Sequence, residues 1–121
     1  MSKSALLFFV LIAFGLSSCK QDPIPMWTVQ YKIVNLGNGI PTYRVSYKLQ
    51  NGGTKSVGPI NTYNWESELL TEFEDGSPVW FEIELISGKG ELQLQILRDN
   101  AVHEKGDLPL GLAKYSIEST L

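Results

Sequence analysis

The chain has 121 residues, 43% hydrophobic and 19% charged, a balance that suits one globular domain and excludes a disordered chain. Its formal net charge of −3 argues against nucleic acid as a partner, because phosphate contacts need clustered Lys and Arg. One cysteine excludes an intrachain disulfide, and one histidine leaves little for metal or triad chemistry.

Residues 1–4 carry one positive charge, on Lys3, and residues 5–16 follow as a run in which only Gly15 is not hydrophobic. Spanning a hydrocarbon core of ~30 Å takes ~20 helical residues, so this run is too short to cross and fits the core of an export signal. Leu16-Ser17-Ser18-Cys19 closes it. An aliphatic residue, two small residues and a cysteine resemble the lipobox of bacterial lipoproteins. The resemblance implies that Cys19 is alkylated by a diacylglyceryl group, that the chain is cut just before it, and that the new amine is acylated.

On that reading residues 1–18 are a signal peptide, and their removal leaves 103 residues. Loss of Lys3 leaves 9 basic against 13 acidic residues, a charge of −4. Cys19 is then a lipid attachment point, and the lipid bilayer is a partner through its acyl chains. Each buried CH₂ contributes ~0.8 kcal/mol, so two or three chains anchor stably where one does not. Lys20 follows the cysteine, where an Asp would favour retention in the inner membrane of diderm bacteria. The outer membrane is therefore the expected location. Residues 19–26 make a lipidated tether; Pro23 and Pro25 keep it extended, and at ~3.3 Å per residue it reaches roughly 25 Å.

From Trp27 onward the hydrophobic period is two. Trp27, Val29, Tyr31 and Ile33 alternate with Thr28, Gln30 and Lys32, and residues 35–41 read as a turn. Tyr43, Val45, Tyr47 and Leu49 then alternate with polar partners, and Asn51-Gly52 supplies a hairpin turn. Residues 55–57 pair back, with Gly58-Pro59 expected to end the pairing. Residues 65–73 fit two helical turns or a strand, and strand is favoured because every neighbour is a strand.

Glu74-Asp75-Gly76-Ser77-Pro78 is a turn, after which Val79, Phe81, Ile83 and Leu85 share one face with Trp80, Glu82, Glu84 and Ile86 opposite. Leu92, Leu94 and Ile96 face inward on the next strand. Asp99-Asn100 turns the chain into residues 101–104. Residues 106–111 read as a loop, and Tyr115, Ile117, Ser119 and Leu121 form the last strand. The predicted fold of residues 27–121 is an all-β, immunoglobulin-like antiparallel sandwich of seven to eight short strands. Its predicted core is Trp27, Val29, Tyr31, Val45, Tyr47, Trp65, Phe81, Ile83, Leu85, Leu92, Leu94, Ile96 and Ile117.

Tyr43-Arg44-Val45-Ser46-Tyr47, then Asn51-Gly52-Gly53, then Trp65, and strands ending Gln95-Ile96-Leu97-Arg98-Asp99-Asn100-Ala101-Val102, together resemble the MmpS-type transport-accessory family. The resemblance covers residues 29–104. It implies a small β-sandwich on the outer side of a membrane that accompanies an exporting pump. Asn64-Trp65 stands where that family usually has Pro-Trp. The paired cysteines are absent, and the expected lipid anchor replaces a transmembrane helix.

Few residues suggest chemistry. His103 reads as a solvated turn residue, and no Gly-x-Ser-x-Gly elbow or glycine-rich phosphate cradle occurs. Glu82 and Glu84 lie two apart on one strand face, about 6.5 Å in rise, a spacing that suits a carboxylate pair but equally a solvated polar face. Glu66, Glu68, Glu72, Glu74 and Asp75 follow no calcium-loop spacing. Neither an enzyme, a cofactor nor a metal is expected. Trp80, beside Glu82 and Glu84, is the candidate contact for a ligand or partner, because a large aromatic on a polar face usually touches something. The expected function is a non-enzymatic accessory or interaction domain of the cell envelope, assisting a transport complex. A carbohydrate- or lipid-binding module with an aromatic platform is the other reading.

Overall fold

Period-two alternation becomes β-structure along about two thirds of residues 26–120 of the computed structural model, which describes residues 23–121. The signal-like segment, Cys19 and Lys20 lie outside the described residues. Nine strands appear among those described: β1 (Met26–Asn35), β2 (Thr42–Lys48), β3 (Thr54–Ile60), β4 (Trp65–Glu66), β5 (Leu70–Glu74), β6 (Pro78–Ser87), β7 (Leu92–Arg98), β8 (Ala101–Asp107) and β9 (Lys114–Thr120). They form two antiparallel sheets packed as a sandwich. The first has the order β4-β1-β7-β8, with β5 also paired to β1, and the second has the order β3-β2-β6-β9.

The core fills the space between them. Tyr31 of β1, Tyr47 of β2 and Phe81 of β6 are fully buried, and their ring centroids stand 4.7 Å (Tyr31–Tyr47) and 5.2 Å (Tyr31–Phe81) apart. Trp65 packs against both Tyr47 and Phe81, at 5.9 and 6.1 Å. Tilted contacts at these distances add to the area that each ring buries. Ten of the thirteen predicted core residues are buried, whereas Trp27, Trp65 and Leu85 are only partly so and pack on its rim. Tyr43 and Val79 join them as the alternation implies, and Leu70 and Phe73 contribute from β5.

Residues 65–73 are strand, but broken. Glu66 and Trp65 pair with Lys32 and Ile33 of β1, then the chain leaves the ladder until Leu70 faces Val29. Ser67 bridges the gap: its hydroxyl oxygen accepts the Tyr31 backbone N–H at 3.0 Å, and its own hydrogen goes to the Glu68 carbonyl at 2.8 Å. A side chain thus supplies the acceptor that a continuous strand would have supplied. The break separates β4 from β5 and brings the count to nine.

Two boundary expectations are corrected. Gly58-Pro59 does not end the pairing of β3, because Tyr43 faces Ile60 and Val45 faces Val57 across a bulge. Proline, lacking an N–H, is accommodated at a bulge on an edge strand. Residues 106–111 are not all loop, since β8 runs to Asp107 and Gly106 faces Leu94. A Cβ at Gly106 would stand 2.7 Å from the Tyr115 hydroxyl and from Ile117 Cγ2. Glycine there lets the edge strands β8 and β9 close one side of the sandwich. Asp99 and Asn100, with φ of 50° and 67°, make the expected two-residue turn between β7 and β8.

Candidate functional site

β6 divides its side chains as the alternation predicts. Val79, Phe81 and Ile83 enter the core, and Trp80, Glu82 and Glu84 lie on the outer face of the second sheet. Trp80 is half-buried rather than open, with Glu118 of β9 directly opposite it. Neither glutamate is free of a partner. Glu84 pairs with Arg44 at 3.7 Å and Glu82 with Lys114 at 3.5 Å, each bridging β6 to a neighbouring strand. Two carboxylates held by cations as cross-strand pairs match a polar sheet face better than an acid–base pair.

His103 is not a turn residue. It sits within β8, and its Nε2 lies 2.8 Å from the Thr120 carbonyl oxygen of β9. The ring therefore pins the two edge strands together. Among the described residues no group of three or more His, Cys, Asp or Glu side chains converges to hold a metal ion.

A broad concavity lies elsewhere, at the end of the sandwich opposite the entry of residues 23–25. Residues 37–39, 85–91 and 108–113 surround a depression of about 650 Å³. That volume is within the ~300–1,000 Å³ range of ligand sites. Its walls carry Ile86, Leu110 and Leu112, and Leu110 is 89% exposed. Leu36, Ile40 and Tyr63 are also exposed on this end, so six of the ten exposed large hydrophobic residues among those described gather here. Single exposed apolar residues are ordinary; a cluster on one end is not.

The loops that present this cluster are tied down. Asn35 is buried, donates its side-chain N–H to the Gly39 carbonyl at 2.6 Å, and accepts the Gly37 N–H at 2.9 Å. Tyr63 donates its hydroxyl hydrogen to the Gly37 carbonyl at 2.7 Å. A Cβ on Gly39 would stand 2.6 Å from the Lys89 carbonyl oxygen, and one on Gly90 would stand 2.8 Å from Pro41. Only glycines allow the two loops to meet this closely. The apolar side chains are thus held out by a preformed frame, which lowers the ordering cost of binding.

This end is not among the sites expected from the sequence. Its signal was present in Leu36-Gly37-Asn38-Gly39-Ile40, Ile86-Ser87-Gly88-Lys89-Gly90 and Leu108-Pro109-Leu110-Gly111-Leu112. Turns are usually polar, and three turns with aliphatic residues among their glycines are an exception. Comparison with protein-family models and with curated protein sequences finds no match to the chain.

Proposed function

We propose that this protein is a lipid-anchored, non-enzymatic accessory domain of the bacterial cell envelope, which docks an apolar surface of another envelope protein on its far end. The observation that carries the reading is the gathering of Leu36, Ile40, Tyr63, Ile86, Leu110 and Leu112 on hydrogen-bonded loops opposite the N-terminal entry.

The chain length before β1 narrows the occupant. β1 has ten residues, so at ~3.3 Å each the two ends stand about 30 Å apart. A tether from an acylated Cys19 reaches roughly 25 Å. A domain standing upright on that tether holds its far end away from the membrane and turned toward molecules above the bilayer, which makes another envelope protein the occupant we propose. The MmpS-type resemblance makes a transport complex the first such partner to test.

Photo-crosslinking in intact cells tests this. A benzophenone amino acid at Leu110 should give one discrete adduct that is lost in Ile86→Asp. The same probe at Leu69 or Val102, both exposed apolar residues away from this end, should give none. Adducts of equal yield at all three positions, or none at Leu110, would contradict the docking surface.

A further inference from the structure

The outer face of the second sheet has an order that the far end does not use. Strand register sets its side chains in rows across the strands. Ser56, Ser46, Glu82 and Ser116 stand in one row on β3, β2, β6 and β9. The next row toward the far end is Arg44, Glu84 and Lys114. On the other side stands Trp80, opposite Glu118. Three of the four residues in the middle row are serines, so that row is low, with an indole along one side and long charged side chains along the other. By side-chain length the serines of β3 and β2 therefore make a shallow trough that ends at the Glu82–Lys114 pair, its bordering rows each about 7 Å from its floor along the strands.

The trough has no net charge. Arg44 pairs with Glu84 and Lys114 with Glu82, while Lys48 and Glu118 belong to the strand positions that flank Trp80. Its floor is polar: Ser46 Oγ and Ser56 Oγ lie 2.8 Å apart and share one hydrogen, which leaves the other hydroxyl hydrogen and the lone pairs for a ligand.

We propose that this trough binds a neutral sugar ring of a glycan, with one face of the ring on the Trp80 indole and its hydroxyls on Ser46, Ser56 and Glu82. A face whose charges are already balanced does not select an ionic ligand. An apolar peptide laid across it would desolvate the Arg44–Glu84 row without giving those groups partners. A pyranose has an apolar C–H face for an indole and hydroxyls that both donate and accept, which suits a wall of one kind beside a floor of the other. The site lies on the side of the sandwich and stands or falls separately from docking at the far end.

The test uses the full chain extracted in detergent, titrated with cellohexaose, maltohexaose and chitohexaose and, as the charged control, with polygalacturonate. Tryptophan emission is the readout. At least one neutral oligosaccharide should shift the emission saturably at millimolar concentration or below, and polygalacturonate should not. Trp80→Ala should abolish the response. Ser46→Val, which keeps a strand-forming residue and removes the hydroxyl, should weaken binding at least tenfold with unchanged circular dichroism. Should Trp80→Ala fail to fold, Ser46→Val decides. The site is overturned if none of the three neutral oligosaccharides shifts the emission, if polygalacturonate binds as well as they do, or if Ser46→Val binds like the wild type.

Discussion

Tyr47 donates its hydroxyl hydrogen to Glu68 at 3.0 Å, so a ring buried at the centre of the second sheet is tied to the break between β4 and β5 in the first. Lys55 meets the same carboxylate at 3.2 Å. Tyr31 does the reverse, donating to the Lys48 carbonyl at 2.7 Å. The two tyrosines thus lace the sheets together beyond the contact of their rings. Tyr47→Phe should keep the packing and cost about 1.5–3 kcal/mol, the usual worth of a hydrogen bond to a charged group. Tyr47→Ala should cost ~3–5 kcal/mol, and Thr42→Ala, half-buried at the start of β2, no more than about 1 kcal/mol. Urea midpoints check the order. Equal midpoints for Tyr47→Ala and Thr42→Ala would mean that the side chains alternate the other way.

Stability should fall on both sides of neutral pH. Burial alone would raise the Glu68 carboxyl, but its own backbone N–H, the Lys55 ammonium and the Tyr47 hydroxyl outweigh that and hold it below its ordinary value. A depressed carboxyl stabilises the fold above its unfolded pKa of ~4.3, and that stabilisation is lost as pH falls through the folded value. Burial pushes Tyr43 up to about 12, although the nearby Thr62 hydroxyl works weakly against it. Its stabilisation is complete below the unfolded pKa of ~10 and is lost as pH rises from there through the folded value. The Tyr43 hydroxyl is buried, and no described residue hydrogen-bonds to it. Tyr43→Phe should therefore be neutral or stabilising by up to about 1 kcal/mol at neutral pH, and should flatten the alkaline limb. Thermal melts from acid to alkaline pH give both results.

Gly106→Ala should cost ~1–3 kcal/mol, the usual penalty for overpacking. The added methyl meets Tyr115 and Ile117, so the change should loosen the seam between β8 and β9. Amide exchange in β9 should rise with it. Unchanged protection in β9 would mean that the seam is held without the close approach at Gly106.

The sandwich was legible because its signals are local. Two-residue alternation in β1, β2, β6 and β7 assigns the inner face without knowledge of the partner strand. The break at Ser67 was not legible, since it depends on Tyr31 offering an N–H from a strand 36 positions earlier in the chain. Trp80 could be placed on the outer face, but its half-burial there could not. The far end was the largest omission. Its three loops are separate in sequence, and only the crossings of the chain between sheets bring Ile86, Leu110 and Leu36 to one surface.

Lipidation of Cys19 is independent of the described fold and has its own test. Labelled fatty acid should enter the wild type and not Cys19→Ser, and the variant should leave the membrane fraction. Equal labelling of both would contradict the anchor, and with it the upright placement that favours a partner above the bilayer.

On the proposed function, the far end binds a partner and does not hold the fold together. Leu110→Asp separates these most directly, because Leu110 is the most exposed large hydrophobic residue among those described. The account predicts a melting free energy within ~0.5 kcal/mol of the wild type, as for surface changes, together with loss of the in-cell adduct from a benzophenone at Leu112. An adduct that survives Leu110→Asp unchanged, or a loss of ~3 kcal/mol in stability as in a core truncation, would contradict it.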